Sequence, residues 1–416
     1  MSEALHNDFI KFIDEKFPKW IPSKISLDKL SNLDIKSVNA LKNALITEFE
    51  SSLSFSKREI KFNDFYQFDL NLNILLSEIL TSRLQIELIT KKISSQLFKR
   101  NYDIEKEEQD DLKAKGYKTS SHKLSNDQLI NIRKEIADCL FINRGIFDIE
   151  MSGADIFTKI DVSSVKQFTG KNGDTFWLKN LNQLCQKEYF QRLAFDPYIL
   201  ATVAQYLGCC PIHVQTNLWF SFPTFEEKNN LSTNAQMFHQ DKEFTKFIKV
   251  FIYLNDVDEN NGPHCYIEGS HIDELHSYGV SFSHRIPDNK INQYYKSERI
   301  KILTAQAGSI TFGDTSCVHK GLPVKSGHRV MLQLEYASSL YLSPVCPFSS
   351  LSKDALDKLD YPVEIVNRLT ENYNDCHRQS FIEYDKAKLQ PKSNKVIKLM
   401  RLTKRHLKSL ISHLTH

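Results

Sequence analysis

The sequence lacks any apolar run that approaches the roughly 18 to 20 residues a helix needs to cross a bilayer. Residues 1–8 are polar and acidic, so they also lack the basic and apolar regions of a secretory signal. These two absences argue against a membrane-embedded protein and against a secreted one. We therefore expect a cytoplasmic protein.

Cysteine pairs at metal-binding or redox spacing are missing too. The 416-residue chain has eight cysteines, but they form no CxxC pair and do not show the spacing of a small disulfide-stapled domain. We expect them to be buried or free reduced thiols. Internal repeats and low-complexity tracts are also absent, which argues against a solenoid and against a disordered chain.

A strong overall charge is absent, although the formal net charge of +3 conceals an asymmetry. Residues 386–416 hold nine Lys or Arg and no Asp or Glu, which leaves 3 − 9 = −6 for the rest. This acidic balance argues against a main body that binds nucleic acid. Residues 396–414 form an amphipathic basic pattern, for which two interpretations stay open. Such a helix packs on the protein's own acidic surface, or it makes peripheral contact with an anionic membrane.

Hydrophobic periodicity divides the chain into three regions. Apolar residues recur at helical spacing up to about residue 105, including the stretch from Leu75 to Leu97. Further helices are predicted after Ser125, which begins a capping box with Gln128, and from Pro197 to a stop at Gly208. From Ile212 to about residue 340, short β-rich runs alternate with turns, as in a sandwich or barrel. The remainder is predicted to be helical again.

Three residues in the β-rich region have the side chains of a metal site. His239 and Asp241 are two positions apart, so in an extended segment both side chains project to the same side. His319 follows in a separate β-segment, which a barrel can bring opposite the first pair. Two imidazoles and one carboxylate bind Fe(II) on one face and leave positions open for co-substrate and oxygen. An H-x-D tripeptide alone is weak, because it occurs by chance in many chains.

Arg329 strengthens the metal-site interpretation. It lies ten residues after His319 and begins the apolar strand Val330 to Leu334. Because burying a cation in a strand is costly, an anion is expected beside it. A guanidinium offers a carboxylate two parallel hydrogen bonds. The alternative is a structural salt bridge with Glu335, which we expect to face the opposite side of the strand.

Together these motifs resemble the phytanoyl-CoA dioxygenase family over about residues 106–340. The resemblance rests on Met237-Phe-His-Gln-Asp, Val250-Phe-Ile-Tyr-Leu-Asn-Asp, Asn261-Gly-Pro-His-Cys-Tyr-Ile-Glu-Gly-Ser-His, His319 and Arg329, in the order and approximate spacing of the family. It implies an α+β protein with a double-stranded β-helix, or jelly roll, as its core and helices flanking it. It also implies three cofactors or co-substrates, namely Fe(II), 2-oxoglutarate and O2.

The resemblance assigns roles to individual residues. His239, Asp241 and His319 match the metal triad, Arg329 matches the residue that binds the distal carboxylate of 2-oxoglutarate, and Gln240 matches a pocket residue between the ligands. Some family members have a hydroxyl residue two positions after the distal histidine, where this chain has Gly321. The second co-substrate contact is therefore unassigned. Its candidates are three residues that share one face of the strand before the H-x-D motif: Asn217, Trp219 and Ser221. Core packing is the alternative for Trp219.

The domain prediction has three parts: a helical N-terminal region (1–105), a jelly-roll oxygenase domain (106–340) and a helical C-terminal extension (341–416). The resemblance implies a dioxygenase that hydroxylates an unactivated C–H bond of a small-molecule or carrier-bound metabolite and releases succinate and CO2. One alternative is a non-catalytic jelly-roll binding module. Another is a metal enzyme that does not use 2-oxoglutarate, although such sites usually present three histidines.

Overall fold

The computed structural model describes residues 106–142, 150–161, 183–223, 235–241, 246–272 and 285–338, together with shorter pieces within 7–42, 93–102, 169–180 and 361–373 and single residues between them. The chain divides into two compact units, Met1–Cys376 and His377–His416, and every described residue lies in the first. The predicted basic helix at 396–414 therefore lies outside the described residues. Among the described residues, no helix is long and apolar enough to cross a membrane.

The described helices lie mostly before the main strands. Two of them confirm the sequence prediction. Ser125 caps its helix through a capping box with Gln128, and a second helix begins after Asp196 and ends at Gly208, which has φ 79°. The helices are α1 (Lys106–Lys115), α2 (Asn126–Ile136), α3 (Gly153–Asp161), α4 (Glu188–Ala194), α5 (Pro197–Leu207) and α6 (Asp288–Tyr294).

All strand pairings in the described structure are antiparallel. The strands are β1 (Ile93–Ser95), β2 (Arg100–Tyr102), β3 (Tyr117–Lys123), β4 (Leu140–Ile142), β5 (Glu150–Ser152), β6 (Thr169–Gly170), β7 (Gly173–Asp174), β8 (Trp177–Asn180), β9 (Ile212–Ser221), β10 (Phe247–Tyr253), β11 (His264–Ile267), β12 (Ile300–Leu303), β13 (Ser309–Gly313), β14 (His319–Gly321) and β15 (Arg329–Ala337).

Two sheets form the core that the sequence predicted. The large sheet has the order β3-β13-β10-β15-β9-β8-β4-β5, and the small sheet has the order β12-β11-β14. An isolated bridge between His239 and His319 connects the H-x-D segment to the small sheet. This is the double-stranded β-helix, with the flanking helices that make the protein α+β. The fold prediction is confirmed.

The two faces of the large sheet have different roles. On its outer face, alternate residues of the strands pack against helices α2 to α5, with Leu218, Val250 and Leu334 fully buried. On its inner face the same strands carry polar residues, which include Asn217 and Lys249. Because side chains alternate along a strand, the apolar face stabilises the fold while the polar face is available for a site.

The N-terminal prediction needs a correction. Described positions between 7 and 42 are helical, as predicted, and residues 43–92 lie outside the described residues. The helical spacing that continued to Leu97 does not hold at its end, because β1 and β2 form an antiparallel pair there. A short apolar run satisfies both periodicities, so spacing alone did not separate the two.

The C-terminal region was also predicted to be separate from residue 341 onwards. Most of residues 339–376 lie outside the description, but several described positions pack on the jelly-roll domain. The Tyr361 hydroxyl donates to the Phe195 carbonyl at 2.9 Å, and Leu369 and Tyr373 are buried in the core of the large sheet. The compact unit therefore continues past residue 340, and the boundaries at 105 and 340 stay predictions.

Candidate functional site

The three predicted metal ligands lie together between the two sheets. One donor atom from each of His239, Asp241 and His319 falls within 4.8 Å of the others. The two histidines exchange backbone hydrogen bonds of 2.9 Å in both directions, and their rings are 4.3 Å apart. The Asp241 backbone N–H donates to the Thr315 carbonyl at 2.8 Å. Backbone pairing therefore brings together ligands that are far apart in sequence.

Both histidines are oriented by their own chain. Nδ1 of His239 lies 2.9 Å from the Met237 carbonyl, and Nδ1 of His319 lies 2.9 Å from the Cys317 carbonyl. A carbonyl can only accept, so Nδ1 carries the proton and the Nε2 lone pair is left to bind a metal. Burial lowers the pKa of His239 to about 3, with help from nearby His319, and burial also lowers the pKa of His319. Both rings are thus neutral ligands at physiological pH.

Asp241 is held by a buried lysine that the sequence analysis missed. Nζ of Lys249 on β10 donates to Oδ2 of Asp241 at 2.8 Å, and the Lys249 side chain is only 7% exposed. Burial favours the protonated form of Asp241, but the adjacent Lys249 ammonium, together with His319 and His239, outweighs it and holds the pKa of this carboxyl below its usual value. Oδ1 lies 3.5 Å from Nε2 of His239 and is left to face the metal position. The signal was available, since Lys249 interrupts the apolar run Phe247 to Tyr253.

Glu335 requires a correction. We expected it to face away from Arg329, but the two residues are six positions apart and share the inner face of β15. Its carboxylate nevertheless lies beside other partners. Oε1 is 3.8 Å from Nζ of Lys249, and Oε2 accepts a hydrogen bond of 3.5 Å from Gln333. Glu335 therefore balances the charge of Lys249 and does not neutralise Arg329.

Arg329 lies at the start of β15, directly paired with Ser221 on β9. Nη1 donates to the Gly262 carbonyl, and Nη2 donates to the Ser221 hydroxyl at 3.2 Å. Burial lowers the pKa of the guanidinium, which still stays charged because the usual pKa of arginine is so high. Its Nε is buried and has no hydrogen-bond partner among the described residues. A partly buried cation with an unused, buried Nε–H donor fits an incoming carboxylate.

The remaining predicted cofactor-binding residues occupy different surroundings. Asn217 is fully buried on the inner face of β9, and neither its amide N nor its amide O has a hydrogen-bond partner among the described residues. Trp219 packs against an apolar cluster that includes Met331 on β15. The Gln240 amide donates to the Ser316 carbonyl and so braces the segment before His319. The roles of all three toward a cofactor stay predictions.

This arrangement passes the chemical test for an iron and 2-oxoglutarate site. Two neutral imidazoles and one ionised carboxylate converge, which is the donor set that binds Fe(II) on one face. Arg329 Nε and the Asn217 amide are buried polar groups in the same barrel that lack partners within the described structure. A dicarboxylate co-substrate supplies partners for groups of this kind. Fold and site together define the class of jelly-roll metal-dependent oxygenases.

The family follows from the comparison with known sequences. The sequence profile of the family described as phytanoyl-CoA dioxygenase (PhyH) matches residues 160–331. This region includes the three metal ligands and Arg329, while residues 106–159 of the predicted domain lie outside the match. Residues 160–331 thus carry a phytanoyl-CoA dioxygenase family domain, whose cofactors are Fe(II) and 2-oxoglutarate, with O2 as co-substrate. No curated protein sequence matches the chain significantly.

Solved structures resemble the chain at low identity. One is EctD from S. alaskensis with bound Fe, with 15% identity, a TM-score of 0.39, and coverage of 58% of this chain and 83% of that chain. Another is the non-heme α-ketoglutarate-dependent carbocyclase SnoK of nogalamycin biosynthesis, with 14% identity, a TM-score of 0.38, and coverage of 56% and 83%. A third is HygX from Streptomyces hygroscopicus with nickel, 2-oxoglutarate and hygromycin B bound, with 12% identity, a TM-score of 0.37, and coverage of 56% and 87%. Likeness at this level says nothing about reaction or substrate.

Proposed function

We propose that this protein is an Fe(II)- and 2-oxoglutarate-dependent dioxygenase that hydroxylates an unactivated C–H bond of a small-molecule or carrier-bound metabolite. In the balanced reaction, substrate R–H, 2-oxoglutarate and O2 give R–OH, succinate and CO2. One observation carries the proposal: a two-histidine, one-carboxylate cluster and a partly buried guanidinium with an unused, buried Nε–H donor lie in the same jelly roll.

His239, Asp241 and His319 hold the iron in this proposal. The Nδ1 hydrogen bonds fix both imidazoles in the tautomer that offers Nε2, and the ion pair with Lys249 keeps Asp241 ionised. Iron and 2-oxoglutarate supply the oxidising chemistry when bound. The protein contributes by fixing ligand orientation before the metal arrives, which limits the reorganisation needed for binding.

Arg329 binds the distal carboxylate of 2-oxoglutarate in this proposal. Gly262 accepts a hydrogen bond from Nη1 and Ser221 accepts one from Nη2, which leaves Nε available. Asn217 is a candidate polar contact inside the barrel, and Gln240 supports the segment that carries His319. The apolar cluster around Met331 and Trp219 limits water near the co-substrate.

The test is succinate formation from 2-oxoglutarate by the full chain with Fe(II) under air, with 2-oxoglutarate binding measured in parallel under anaerobic conditions. His239→Ala is expected to abolish turnover, and Arg329→Lys is expected to require at least tenfold more 2-oxoglutarate, because lysine cannot make the paired hydrogen bonds. Matched controls are His122→Ala on the edge strand β3 and Arg133→Lys on the exposed surface of α2, both of which should behave as wild type.

Some oxygenases turn over only when substrate is bound, so the binding measurement decides between the two functions. Metal-dependent binding of 2-oxoglutarate that is lost in His239→Ala supports the dioxygenase even without turnover. Absence of both turnover and metal-dependent binding would instead favour the non-catalytic binding module. Substrate screening follows only after the first outcome.

A further inference from the structure

Strands β11 and β14 place His264 directly opposite Gly321. In the antiparallel register of the small sheet, His264 pairs with Gly321, while Tyr266 pairs with His319. Side chains of directly paired residues project to the same side, with their Cβ positions roughly 5 Å apart. His264 therefore emerges on the inner face, beside the position where Gly321 has no side chain.

A side chain at position 321 would lie next to the guanidinium of Arg329. A Cβ atom added to Gly321 would lie 3.6 Å from Nη1 and 3.7 Å from Nη2 of Arg329, which is ordinary contact distance. A residue with a side chain is therefore tolerated there, and a hydroxyl on it would sit beside the guanidinium. Because this chain has glycine instead, any second polar contact to an anion held by Arg329 must come from a neighbour.

His264 is the neighbour whose ring is placed for this contact. The residue is 8% exposed, and its ring lies 4.3 Å from the Phe251 ring and 6.3 Å from the Tyr253 ring. Its backbone N–H donates to the Tyr253 hydroxyl at 3.0 Å. In the described part of the chain neither ring nitrogen makes a hydrogen bond. The ring nitrogens are also not fully enclosed by protein atoms, so a ligand in the barrel can reach them and supply a partner.

The charge state of His264 suits an anion that Arg329 already neutralises. Burial lowers the pKa of His264 well below its usual value, and the charge of nearby Arg329 lowers it further. The ring is therefore neutral and can donate one N–H without adding a second positive charge next to the guanidinium. Cation and neutral donor together satisfy a carboxylate with less electrostatic cost than two cations.

We propose that His264 donates a hydrogen bond to the distal carboxylate of 2-oxoglutarate, and so replaces the contact that a hydroxyl side chain at position 321 would make. This inference rests on the proposed function and concerns the same pocket. It assigns the second co-substrate contact to the small sheet, across the barrel from Asn217 and Ser221 on the large sheet.

The test measures equilibrium binding of 2-oxoglutarate to the full chain loaded with Mn(II) in the absence of oxygen. His264→Leu removes the donor at similar volume, His264→Gln keeps a donor, and Gly321→Ser supplies a hydroxyl. We expect the Kd to rise about tenfold in His264→Leu, as for loss of one hydrogen bond to a charged group. We expect it to stay within about threefold of wild type in His264→Gln, and to be restored to a similar level when Gly321→Ser is combined with His264→Leu.

A second ligand separates a contact to the distal carboxylate from a general packing effect. 2-Oxopentanoate has the same chain and the same 2-oxo acid group as 2-oxoglutarate but lacks the distal carboxylate. Its weaker binding should be equal in wild type and His264→Leu. The Mn(II) affinity of each variant, measured without co-substrate, shows that the metal site is intact.

The outcomes are distinguishable. If wild type binds 2-oxoglutarate and His264→Leu binds it equally well, the role of His264 is refuted while the proposed function stands. If both ligands weaken equally in His264→Leu, the effect is packing, and the role is again refuted. If metal-loaded wild type does not bind 2-oxoglutarate at all, the proposed function and this inference fail together.

Discussion

Replacing Lys249 with methionine tests how the site keeps its carboxylate ready for metal. The change removes the ammonium that lies 2.8 Å from Oδ2 of Asp241 and 3.8 Å from Oε1 of Glu335, and it leaves the length of the side chain nearly unchanged. Both carboxylates are largely buried, with Glu335 at 0% exposure. Two buried carboxylates that lose a shared cation are expected to take up a proton.

The magnitude follows from proton counting. In wild type the two histidines are neutral and Asp241 is ionised, so metal binding should release almost no protons between pH 6 and 8. The Kd for Mn(II) should then be nearly constant over that range. In Lys249→Met the metal must displace one proton, so the Kd for Mn(II) should fall by about tenfold for each unit by which the pH is raised. Stability of the metal-free variant should also fall by about 3–5 kcal/mol, because removing Lys249 breaks a buried ion-pair network.

Free Mn(II), measured by electron paramagnetic resonance at half-unit pH steps, gives the Kd values directly. Lys249→Arg is the matched control, because it keeps a cation beside Asp241 and should keep the flat profile. A flat profile in Lys249→Met, or a tenfold slope already present in wild type, would refute the assignment of Lys249 as the group that keeps Asp241 ionised.

Three further predictions concern stability. Burial lowers the pKa of His213 to about 3, below its unfolded value, so the unfolded state binds more protons. His213 should lower the free energy of unfolding of the metal-free protein by about 1 kcal/mol as the pH falls from 6.5 to 5.5. In urea unfolding, His213→Phe should remove this part of the pH dependence. Gly116→Ala should destabilise the protein by a few kcal/mol in thermal unfolding, since φ is +82° and the new Cβ would lie 2.1 Å from Sγ of Cys317, whereas Gly321→Ala should be tolerated. Ser125→Ala removes a capping box and should cost about 1 kcal/mol in urea unfolding.

Each of these has a result that contradicts it. An unchanged pH dependence in His213→Phe would mean that the imidazole is protonated in the folded protein. A Gly116→Ala variant as stable as Gly321→Ala would mean that α1 and the segment around Cys317 shift apart at little cost. A neutral effect of Ser125→Ala would mean that water replaces the cap.

Local chemistry was predictable from the sequence where one short segment determines it. The capping box at Ser125 and the end of α5 at Gly208 were predicted because capping depends on neighbouring residues. Arg329 was recognised because a cation in an apolar strand is expensive to bury. Lys249 interrupts the apolar strand β10 in the same way, so this buried cation was also predictable from the sequence.

Pairing between distant strands could not be predicted in the same way. The edge strand β3 is polar, with the sequence YKTSSHK, and shows no apolar run that would signal it. The register that places His264 opposite Gly321 depends on how two sheets close into a barrel, and one sequence without aligned relatives does not contain that information. The error over Glu335 came from counting it as an immediate neighbour of Arg329, when six residues return a side chain to the same face of a strand.

The backbone bridge between His239 and His319 also determines whether folding or metal binding closes the long loop between these two ligands. About 80 residues separate the two ligands, and holding the ends of such a loop together costs about 4 kcal/mol of chain entropy. This entropy is lost when the strands pair during folding, before any ion binds. If the metal had to gather its own ligands, its affinity would be lower by roughly a thousandfold. Chelation should therefore empty the site without opening the barrel, and the ion can be exchanged without unfolding the chain around it.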